Sequence, residues 1–416
     1  MAAVLTLLAF VLFVGIIRSQ VALMMVAILL MGASVVFAFW SRRAIAAITY
    51  RRWFEPPRIF PGEETDLVVE ITNHSWLPLP WLRVYERFPG PIMPASRGQE
   101  SESTRPGAGR VRAESWHRRR SLSLAWRERL LIRERMTCAR RGQYTLGPTD
   151  LETGDPTGLF AENLRVPETR ELIVYPRLAT IPDVTMESRV PFGSRKAPPP
   201  TLEDPAQFAG IRDYRPGDPR RWVDWKASAR RMQLQTRVFT PTTLNTVVVA
   251  LNVQTMDKAW QGYDAERFED TVSVSAAVID QLVSHGHPVG LAVNGSGADT
   301  EDFQVFLPPN RRPGQLEEAL GLLAQLSPLP TLAFGTFMRR VVSSFPYGTG
   351  LIVVTGYLDT PTAEDLEALS HWGHKISIIY VGSDLAVDVS PRIPLIEIED
   401  SRDDAISRPV EEAVHA

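Results

Sequence analysis

The first forty residues contain two long apolar runs. Residues 2–17 carry no charged side chain, Arg18-Ser19-Gln20 interrupts, and residues 21–40 form a second uncharged run. A helix of about 20 residues rises about 30 Å, which matches the hydrocarbon core of a bilayer. The second run therefore predicts a membrane-spanning helix. We interpret the pair as a transmembrane helical hairpin over residues 1–42 and not as a secretory signal peptide, because no Lys or Arg precedes it.

Cations flank the second run unequally. Between the two runs there is one arginine, Arg18, whereas five follow the second run: Arg42, Arg43, Arg51, Arg52 and Arg58. Cytoplasmic loops of membrane proteins carry the excess of Lys and Arg. We therefore expect a multi-pass protein of the inner (cytoplasmic) membrane, with its soluble domains facing the cytoplasm.

Residues 53–180 consist of short alternating segments bounded by turn residues. Pro61-Gly62 leads into an alternating segment at Leu67–Ile71, Asn73-His74-Ser75 interrupts it, and alternation resumes at Leu82–Tyr85. Residues 129–138 and 142–148 continue this pattern, which lacks helical periodicity. Such a sequence predicts an antiparallel, β-sandwich-like domain.

From Thr246 onward, predicted strands alternate with predicted helices. Residues 246–251 form an apolar run, as in a strand covered on both faces, and residues 266–284 have apolar side chains at helical spacing. Further strands are predicted at 288–293, 303–307, 351–355 and 376–381, and further helices at 313–326 and 363–372. This order predicts a doubly wound α/β domain over residues 241–396, with ligands binding beyond Leu251 at the carboxyl ends of the strands.

Composition narrows the possible functions. The 416 residues are 44% hydrophobic and hold 45 Lys and Arg against 48 Asp and Glu, a net charge of −3. This balance excludes a disordered or polybasic chain and predicts no attraction to nucleic acid. Cys138 is the sole cysteine, so there is neither a disulfide framework nor a thiolate metal cage. Residues 397–416 form an acidic tail, which we expect to be exposed.

A basic stretch extends from Arg105 to Arg141, with twelve arginines against three glutamates. One interpretation is attachment to anionic lipid headgroups or to an acidic partner. The alternative, which we favour, is the solvated face of strands whose apolar residues alternate inward. Nucleic-acid binding is the weakest interpretation, because no recognition motif accompanies the charge.

The most distinctive segment lies between the two soluble domains, in the linker of residues 181–240. Pro216-Gly217 predicts a tight turn, Asp218 predicts a helix N-cap before Pro219, and Trp222 and Trp225 recur at helical spacing.

Charged side chains in this segment could bind a carboxylate or a phosphate. They are Arg212, Arg215, Arg220, Asp224 and Lys226. The alternative is a salt-bridged junction between the two soluble domains, since dense mixed charge with tryptophan suits a buried polar contact. Both interpretations stay open at this point.

Tyr214-Arg-Pro-Gly-Asp218 together with Asp224-Trp-Lys-Ala-Ser-Ala-Arg230 closely resembles the central motif of the bacterial domain-of-unknown-function fifty-eight family. Arg141-Gly-Gln-Tyr-Thr-Leu-Gly-Pro148 and Asp155-Pro-Thr-Gly-Leu-Phe160 also match, the latter with Thr157 where an aromatic residue is expected. The resemblance covers nearly the whole chain.

This resemblance implies a membrane-anchored protein with a von Willebrand factor A-like domain. It also implies a chaperone-like role in maturing protein complexes, together with a MoxR-type AAA ATPase and an unknown client protein. The residues expected to form the partner-binding surface or domain junction are Arg212, Tyr214, Arg215, Asp218, Asp224, Trp225 and Lys226.

Von Willebrand factor A-like domains often carry Asp-x-Ser-x-Ser after their first strand, where oxygen ligands surround Mg²⁺. The matching stretch here is Asn252-Val-Gln-Thr-Met256. Asn252 removes the charge, Gln254 replaces a hydroxyl with an amide, and Met256 offers a thioether unsuited to Mg²⁺. We therefore expect a degenerate site without metal, although Thr255 and Asp257 leave open a site in a shifted register.

Other catalytic signals are weak. Gly295-Ser296-Gly297 lacks the nucleophile-elbow pattern, and the histidines at residues 285, 287, 371 and 374 lie at predicted helix ends, where capping and solvation suffice. The chain has no Gly-rich phosphate-binding loop with lysine, so any ATP hydrolysis would belong to a partner. We predict a non-enzymatic assembly protein without cofactor; the alternatives are a structural envelope protein without an ATPase and a divergent metal-dependent enzyme.

Overall fold

Two helices begin the chain. α1 (Ala2–Ile17) and α2 (Val21–Ala46) are separated at residues 18–20, the polar interruption in the sequence. In the part of the chain that the structure describes, α2 is the one helix long and apolar enough to cross a membrane, and α1 is a shorter apolar helix. α2 continues past Trp40 to Ala46, and its small side chains Ser41 and Ala44 are buried there.

The computed structural model describes residues 2–95, 115–183, 208–215, 222–239, 246–257, 262–297, 305–345, 349–372 and 374–399. These residues divide into two units. The β-rich unit lies within Met1–Arg177 and includes Leu320–Leu326, and the α/β unit lies within Leu178–Ala319 and Ser327–Ala416.

Strands follow α2 directly. They are β1 (Ile48–Glu55), β2 (Arg58–Ile59), β3 (Glu64–Asn73), β4 (Leu79–Pro89), β5 (Ile92–Pro94), β6 (Ser115–Leu124), β7 (Arg129–Cys138), β8 (Gly142–Leu146), β9 (Thr149–Gly154), β10 (Ala161–Val166) and β11 (Arg170–Val174). They form sheets in the orders β1-β3-β7-β5, β10-β9-β4-β6 and β2-β11-β8. In the two four-stranded sheets all neighbours are antiparallel.

Apolar side chains from all three sheets pack into one core. Leu67 and Ile71 come from β3, Leu82 from β4, Leu151 from β9 and Leu172 from β11. Strands with one face in a core and one face in water alternate between buried and exposed positions, as β4 does. The chain therefore contains a β-rich, multi-sheet domain in the region where the alternating pattern predicts strands.

The described part of the basic stretch, residues 115–141, forms β6 and β7, and several of its arginines pair with carboxylates. Arg118 and Arg120 of β6 both pair with Glu134 of β7 and so join two sheets. Further ion pairs join β7 to other strands of its sheet at Arg129–Glu70 (2.7 Å), Arg135–Glu64 (3.3 Å) and Arg133–Glu55 (3.9 Å). These pairs, with the alternation of exposed and half-buried positions in β6 and β7, favour the interpretation of the stretch as the solvated face of strands. Residues 105–114 lie outside the described residues.

The second half of the chain contains the following elements. They are β12 (Phe208–Asp213), α3 (Trp225–Arg231), β13 (Gln235–Phe239), β14 (Val247–Asn252), α4 (Ala265–Ser284), β15 (Val289–Val293), β16 (Gly295–Gly297), β17 (Val305–Asn310), α5 (Gln315–Ala324), β18 (Leu326–Pro330), α6 (Phe334–Val341), a 3₁₀ turn at Val342–Ser344, β19 (Gly350–Thr355), α7 (Thr360–His371), β20 (Lys375–Val381) and β21 (Leu395–Ile398).

Six of these strands form one sheet in the order β17-β15-β14-β19-β20-β21. All neighbours are parallel except β15 and β17, which are antiparallel. β14 and β19 are buried at every position, because α4 packs on one face of the sheet and α6 and α7 pack on the other. The predicted alternation of strands and helices is present here, with a mostly parallel sheet.

The expectation of a helix N-cap at Asp218, before Pro219, stays a prediction. Residues 216–221, which include Asp218 and Pro219, lie outside the described residues. α3 begins at Trp225 with Asp224 as its N-cap, and Val223 pairs with Thr236 of β13 as an isolated bridge. Because Val223 is held in an extended pairing, Trp222 and Trp225 do not lie on one helix, and that expectation was wrong.

Candidate functional site

The central strands β14 and β19 lie side by side in the six-stranded sheet. From β14 the chain continues through α4 to β15 on one side, whereas from β19 it continues through α7 to β20 on the other. Open α/β sheets bind ligands beyond the carboxyl ends of their strands, at the point where the strand order reverses. We call residues 252–257 and 355–359 the switch-point loops.

Two asparagines join three strand ends at this point. Asn252 Oδ1 accepts hydrogen bonds from Gln254 N (3.1 Å) and from Asn294 Nδ2 (2.9 Å), and Asn294 Oδ1 accepts one from Val253 N (2.8 Å). Because two of these donors are backbone amides, they fix which end of each side-chain amide carries the oxygen. Both asparagines are buried.

The NH₂ group of Asn252 points across to β19. It donates to Thr355 Oγ1 (3.1 Å) and to the carbonyl oxygen of Tyr357 (3.2 Å). Thr355 Oγ1 also accepts from Tyr357 N (3.2 Å) and donates to the Tyr357 carbonyl. The buried polar atoms of Asn252 and Thr355 thus satisfy one another, as buried polar groups must.

The residue set at the switch point does not fit a magnesium site. Asn252 presents N–H donors to β19, where a hard cation requires oxygen ligands. Thr255 is buried and accepts from Asp264 N (2.9 Å), whereas Asp257 is exposed and accepts from the Tyr357 hydroxyl (2.9 Å). Within the described residues no group of three or more His, Cys, Asp or Glu side chains is placed to hold a metal ion.

The remaining residues of the stretch take structural roles. Gln254 Nε2 donates to the carbonyl oxygens of Met256 (2.9 Å) and Asp257 (3.3 Å), which closes the loop on itself. Met256 is half-buried. Asp359, the acid that follows β19, caps α7 by accepting from Thr362 N (3.0 Å). Burial, together with the hydrogen bond to Asp257, raises the pKa of Tyr357 to about 12.

A second polar cluster, which the sequence did not indicate, lies beside the switch point. Arg267 of α4 donates to the carbonyl oxygen of Gly356 (3.3 Å) and pairs with Asp384 (3.0 Å), which also accepts from the Tyr380 hydroxyl (2.9 Å). Burial alone would raise the pKa of the Asp384 carboxyl, but the hydrogen bonds from Arg267 and Tyr380 outweigh it and lower that pKa. Burial and the neighbouring Asp384 raise the pKa of Tyr380.

The central motif folds into a small β12–α3–β13 unit, in which β12 and β13 pair antiparallel. Asp224 Oδ1 accepts from Lys226 N (3.1 Å) and Ala227 N (3.0 Å), and its Oδ2 pairs with Arg237 (3.0 Å). The Ala227 amide and the Arg237 guanidinium lower the pKa of the Asp224 carboxyl. The motif residue Asp224 is therefore a helix cap that also holds β13.

Further hydrogen bonds fasten α3 to the two strands. The Ser228 hydroxyl donates to the Asp224 carbonyl (2.7 Å) and accepts from Gln235 N (2.8 Å). The Gln235 side chain donates to Asp213 Oδ1 (2.7 Å), and Tyr214 N donates to the Leu234 carbonyl (2.8 Å). Gln235 and Arg237 were not expected from the sequence, because their contacts arise only once β13 pairs with β12.

The motif residues expected to meet a partner differ in their exposure. The indole of Trp225 is 70% exposed, and Lys226 and Arg215 are also exposed, whereas Arg212 and Tyr214 are half-buried. Arg212 donates to the carbonyl of Asp213 (3.1 Å). Asp218 lies outside the described residues. Apolar side chains of the same unit are exposed as well, at Ile211, Met232 and Leu234.

Comparison with known proteins gives one family match and one curated relative. Residues 210–386 match the family model described as "Protein of unknown function DUF58". The uncharacterized protein YeaD of Bacillus subtilis (strain 168) is 24% identical over 244 residues, which cover 59% of this chain and 55% of YeaD. The match therefore spans about half the length of that relative.

Solved structures resemble a part of the chain only distantly. A cohesin module from Clostridium perfringens covers 31% of this chain and 96% of its own, at 12% identity and a TM-score of 0.22. The CARDB domain of a Pyrococcus furiosus protein covers 30% of this chain and 89% of its own, at 11% identity and a TM-score of 0.19. Likenesses this low carry no argument about fold or function. What the comparisons establish is that residues 210–386, with the central motif at their start, are similar to the DUF58 family.

Proposed function

We propose that this protein is a membrane-anchored interaction and assembly module. The α1–α2 hairpin anchors it in the inner membrane, a β-sandwich follows, and a von Willebrand factor A-like domain faces the cytoplasm. Its partners are a MoxR-type AAA ATPase, which supplies ATP hydrolysis, and a client protein complex that the pair matures. The protein itself is not an enzyme.

The closed switch point is the observation that carries this proposal. The strand order β17-β15-β14-β19-β20-β21, with one antiparallel edge strand, supports a von Willebrand factor A-like sheet. At the place where such a domain would hold its metal, Asn252 donates a hydrogen bond to Thr355 and accepts one from Asn294. A polar site that is satisfied internally stabilises the sheet and offers little to a reacting substrate, which favours binding over catalysis.

Partner binding is assigned to the β12–α3–β13 unit. Tryptophan and arginine are enriched where proteins bind one another, and a large exposed indole is the usual anchor of such a contact. The backbone at Trp225 is fixed, because it occupies the first turn of a helix whose N-cap is bonded to β13. Lys226 adds an exposed cation at the next position.

The test compares two tryptophans of similar exposure. Tagged full-length protein is extracted from membranes in mild detergent, and co-purifying proteins are identified by mass spectrometry. Trp225→Ala and Lys226→Ala should each lose the ATPase while keeping a near-native melting temperature. Trp372→Ala, at an exposed indole that ends α7, is the matched control and should retain it.

Two results would overturn parts of the proposal. If the unaltered chain brings down no ATPase, the ATPase partnership is wrong. If both variants keep the partner that the unaltered chain binds, the assignment of the surface is wrong.

The orientation of the chain in the membrane is checked separately with a reporter fused after Ala416, which should report the cytoplasm because the arginine excess follows Trp40. A periplasmic signal would contradict the cytoplasmic assembly role.

A further inference from the structure

We propose that three loops at one end of the β-rich unit form a bilayer-contact surface that seats in the headgroup region of an anionic membrane. The three loops are residues 74–78, 125–128 and 155–160, which connect β3 to β4, β6 to β7 and β9 to β10. The inference rests on the proposed anchoring through α2. It adds a second contact with lipid, made by the soluble unit itself.

Strand register places the three loops at the same end of the unit, next to the end of α2. β1 begins at Ile48, directly after α2, and Ile48 pairs with Asn73, the last residue of β3. Thr72 pairs with Arg129 at the start of β7, and Leu79 at the start of β4 pairs with Leu124 at the end of β6.

The third loop reaches the same end through β4 and β9. Leu82, near the start of β4, pairs with Thr153, and Gly154, the last residue of β9, pairs with Ala161 at the start of β10. All three loops therefore emerge on the side of the unit where the chain leaves the apolar helix.

Direct contacts with α2 confirm the placement of two of the loops. Trp40 Nε1 donates to the carbonyl oxygen of Pro78 (3.3 Å), and the Ser41 hydroxyl donates to that of Phe160 (2.7 Å). Trp40 is the last residue of the uncharged run. The loops thus lie at the level of the helix where the hydrocarbon core would end, and interfacial side chains are expected at this depth.

Each loop presents one large, exposed apolar side chain. Trp76 is 75% exposed, Trp126 is 66% exposed and Leu159 is 63% exposed. Tryptophan is enriched at membrane–water interfaces, because its ring is apolar while its N–H remains hydrogen-bonded in the headgroup region. Three large apolar side chains exposed at one end of a domain indicate an interaction surface.

Cations accompany these side chains. The Arg127 guanidinium stacks on the ring of Trp76, 4.0 Å from its centroid, and Arg43 is exposed at the end of α2, where Arg42 pairs with Glu162 (3.4 Å). The two acidic side chains of the loops make contacts within the protein. The Glu128 carboxylate accepts a hydrogen bond from Ala125 N (2.6 Å), and Asp155 is buried. The stacked indole and guanidinium, together with Arg43, suit lipid phosphates.

The first two loops are fastened to each other. The Asn73 side chain donates to the carbonyl oxygens of Leu77 (2.9 Å) and Ala125 (3.0 Å), and Arg127 N donates to the carbonyl of Ser75 (3.2 Å). Arg127 adopts a φ of 51°, in the left-handed region that few residues other than Gly occupy. The loops therefore present Trp76 and Trp126 in a fixed arrangement.

The side chain of Asp155 holds the third loop, residues 155–160, in shape. Asp155 Oδ1 accepts from Phe160 N (2.6 Å), and its Oδ2 accepts from Thr157 N (2.9 Å) and from the Thr157 hydroxyl. This closes the Asp155–Phe160 segment into a tight turn that leaves Leu159 outside. A preorganised surface loses less entropy on binding than a mobile one.

The occupant is a bilayer because the surface is continuous with the helix that enters one. A protein partner is the alternative that the experiment separates. Single cysteines are introduced into the full chain at Trp76→Cys, Trp126→Cys and Leu159→Cys, each labelled with an environment-sensitive fluorophore. Native Cys138 is buried, so we expect it to react slowly with the label. Met93→Cys is the matched control, because Met93 is an exposed apolar residue opposite Thr137 near the far end of β7.

The labelled chains are reconstituted into phosphatidylcholine vesicles with and without phosphatidylglycerol. Labels at the three loop positions should show blue-shifted emission and quenching by a phospholipid spin-labelled near its headgroup, more strongly with phosphatidylglycerol. The label at residue 93 should show neither effect. Arg127→Gln should reduce the difference between the two lipid compositions.

Carbonate extraction of the same vesicles separates this proposal from the anchoring on which it rests. If the chain resists extraction but all four labels stay in water, the contact surface is wrong and the anchor stands. Labels that are aqueous in vesicles but protected in native membranes would show that a protein covers the loops, which also overturns the lipid assignment. If carbonate removes the chain, the anchor and the contact surface are both wrong.

Discussion

Asn252 and Thr355 lie 3.1 Å apart, Nδ2 to Oγ1, and link the carboxyl ends of the two central strands of the six-stranded sheet. Both side chains are buried. The pair closes the place where an open α/β sheet would receive a ligand, and this makes the two residues sensitive to any change in their donor and acceptor pattern.

Asn252→Asp should destabilise the α/β unit at neutral pH. The new carboxylate would face the Tyr357 carbonyl, which now accepts from Asn252 at 3.2 Å, and an unsatisfied buried group costs about 1–3 kcal/mol or more when charged. Burial raises the pKa of such a carboxyl. The loss is therefore present above that raised pKa and shrinks as the pH falls, when the protonated acid can donate.

Urea denaturation at pH 7 and pH 5 measures this effect. Asn310→Asp, at an exposed asparagine that ends β17, is the control and should leave the midpoint nearly unchanged. Equal stability of Asn252→Asp and the unaltered chain at pH 7 would mean that the Asn252 bonds contribute nothing.

Magnesium should leave the melting temperature of the full chain unchanged at millimolar concentration. A site that binds the folded state alone would add about 2.7 kcal/mol to the free energy of unfolding when the metal is present at about 100 times its Kd. Differential scanning fluorimetry in detergent detects such a gain. A metal-dependent rise that disappears in Asp257→Ala would establish a site in the shifted register of Thr255 and Asp257.

Asp384→Asn should lower stability at pH 7 by a small amount, because an ion pair with this much exposure contributes less than about 1 kcal/mol. The pKa of Asp384 is lowered in the folded protein. Its contribution is therefore fully present above the pKa of the unfolded chain and is lost as the pH falls through the lower, folded value.

The measurement is the difference in unfolding free energy between the Asp384→Asn variant and the unaltered chain, followed from pH 7 to pH 3. The difference should shrink toward the acid end. A difference that grows on acidification would contradict the ion pair with Arg267.

Gly147→Ala should destabilise the β-rich unit. Gly147 has a φ of 120°, and an added Cβ would lie 2.8 Å from the carbonyl oxygen of Glu168 and against the guanidinium of Arg52. Overpacking of this kind costs about 1–3 kcal/mol, in addition to the backbone strain.

Gly158→Ala separates the cost of overpacking from the cost of backbone strain. Gly158 also has a positive φ, 73°, but an added Cβ would have no atom within 4 Å. Thermal denaturation should therefore show a larger drop for Gly147→Ala than for Gly158→Ala. Equal drops would show that the close approach at Gly147 relaxes without cost.

Local patterns in the sequence predict the regular elements well where one periodicity dominates. The apolar run that became β14 and the helical spacing that became α4 lie within one or two residues of their predicted bounds. β12 and β13 were not predicted, because their sequences are short and mix apolar, polar and charged residues without a clear alternation. Pairing with each other, not an apolar pattern, holds them extended.

The candidate site could be predicted only in part. The sequence alone shows that Asn252 replaces a charged metal ligand. The hydrogen bond from Asn294 to Asn252 could not be predicted, because it depends on how β15 and β14 are paired. Asp218 and Asp224 carry equivalent capping signals. The structure shows that Asp224 caps α3 and that Val223, just before it, pairs with Thr236, whereas Asp218 lies outside the described residues. The placement of Trp76, Trp126 and Leu159 at one end of the β-rich unit likewise could not be predicted, because it depends on strand register and not on a local sequence pattern.

The joint between α2 and β1 has a mechanical consequence. Ala47 is the single residue between Ala46 and Ile48, and its carbonyl accepts from His74 N at 2.9 Å. Trp40 and Ser41 of α2 also donate hydrogen bonds to loops of the β-rich unit. The helix and the strands should therefore move together as one rigid body. A membrane helix adjusts its tilt to bilayer thickness. With α2 as the proposed anchor, such an adjustment would tilt the β-rich unit together with the helix, so bilayer thickness would set the orientation of that unit relative to the membrane.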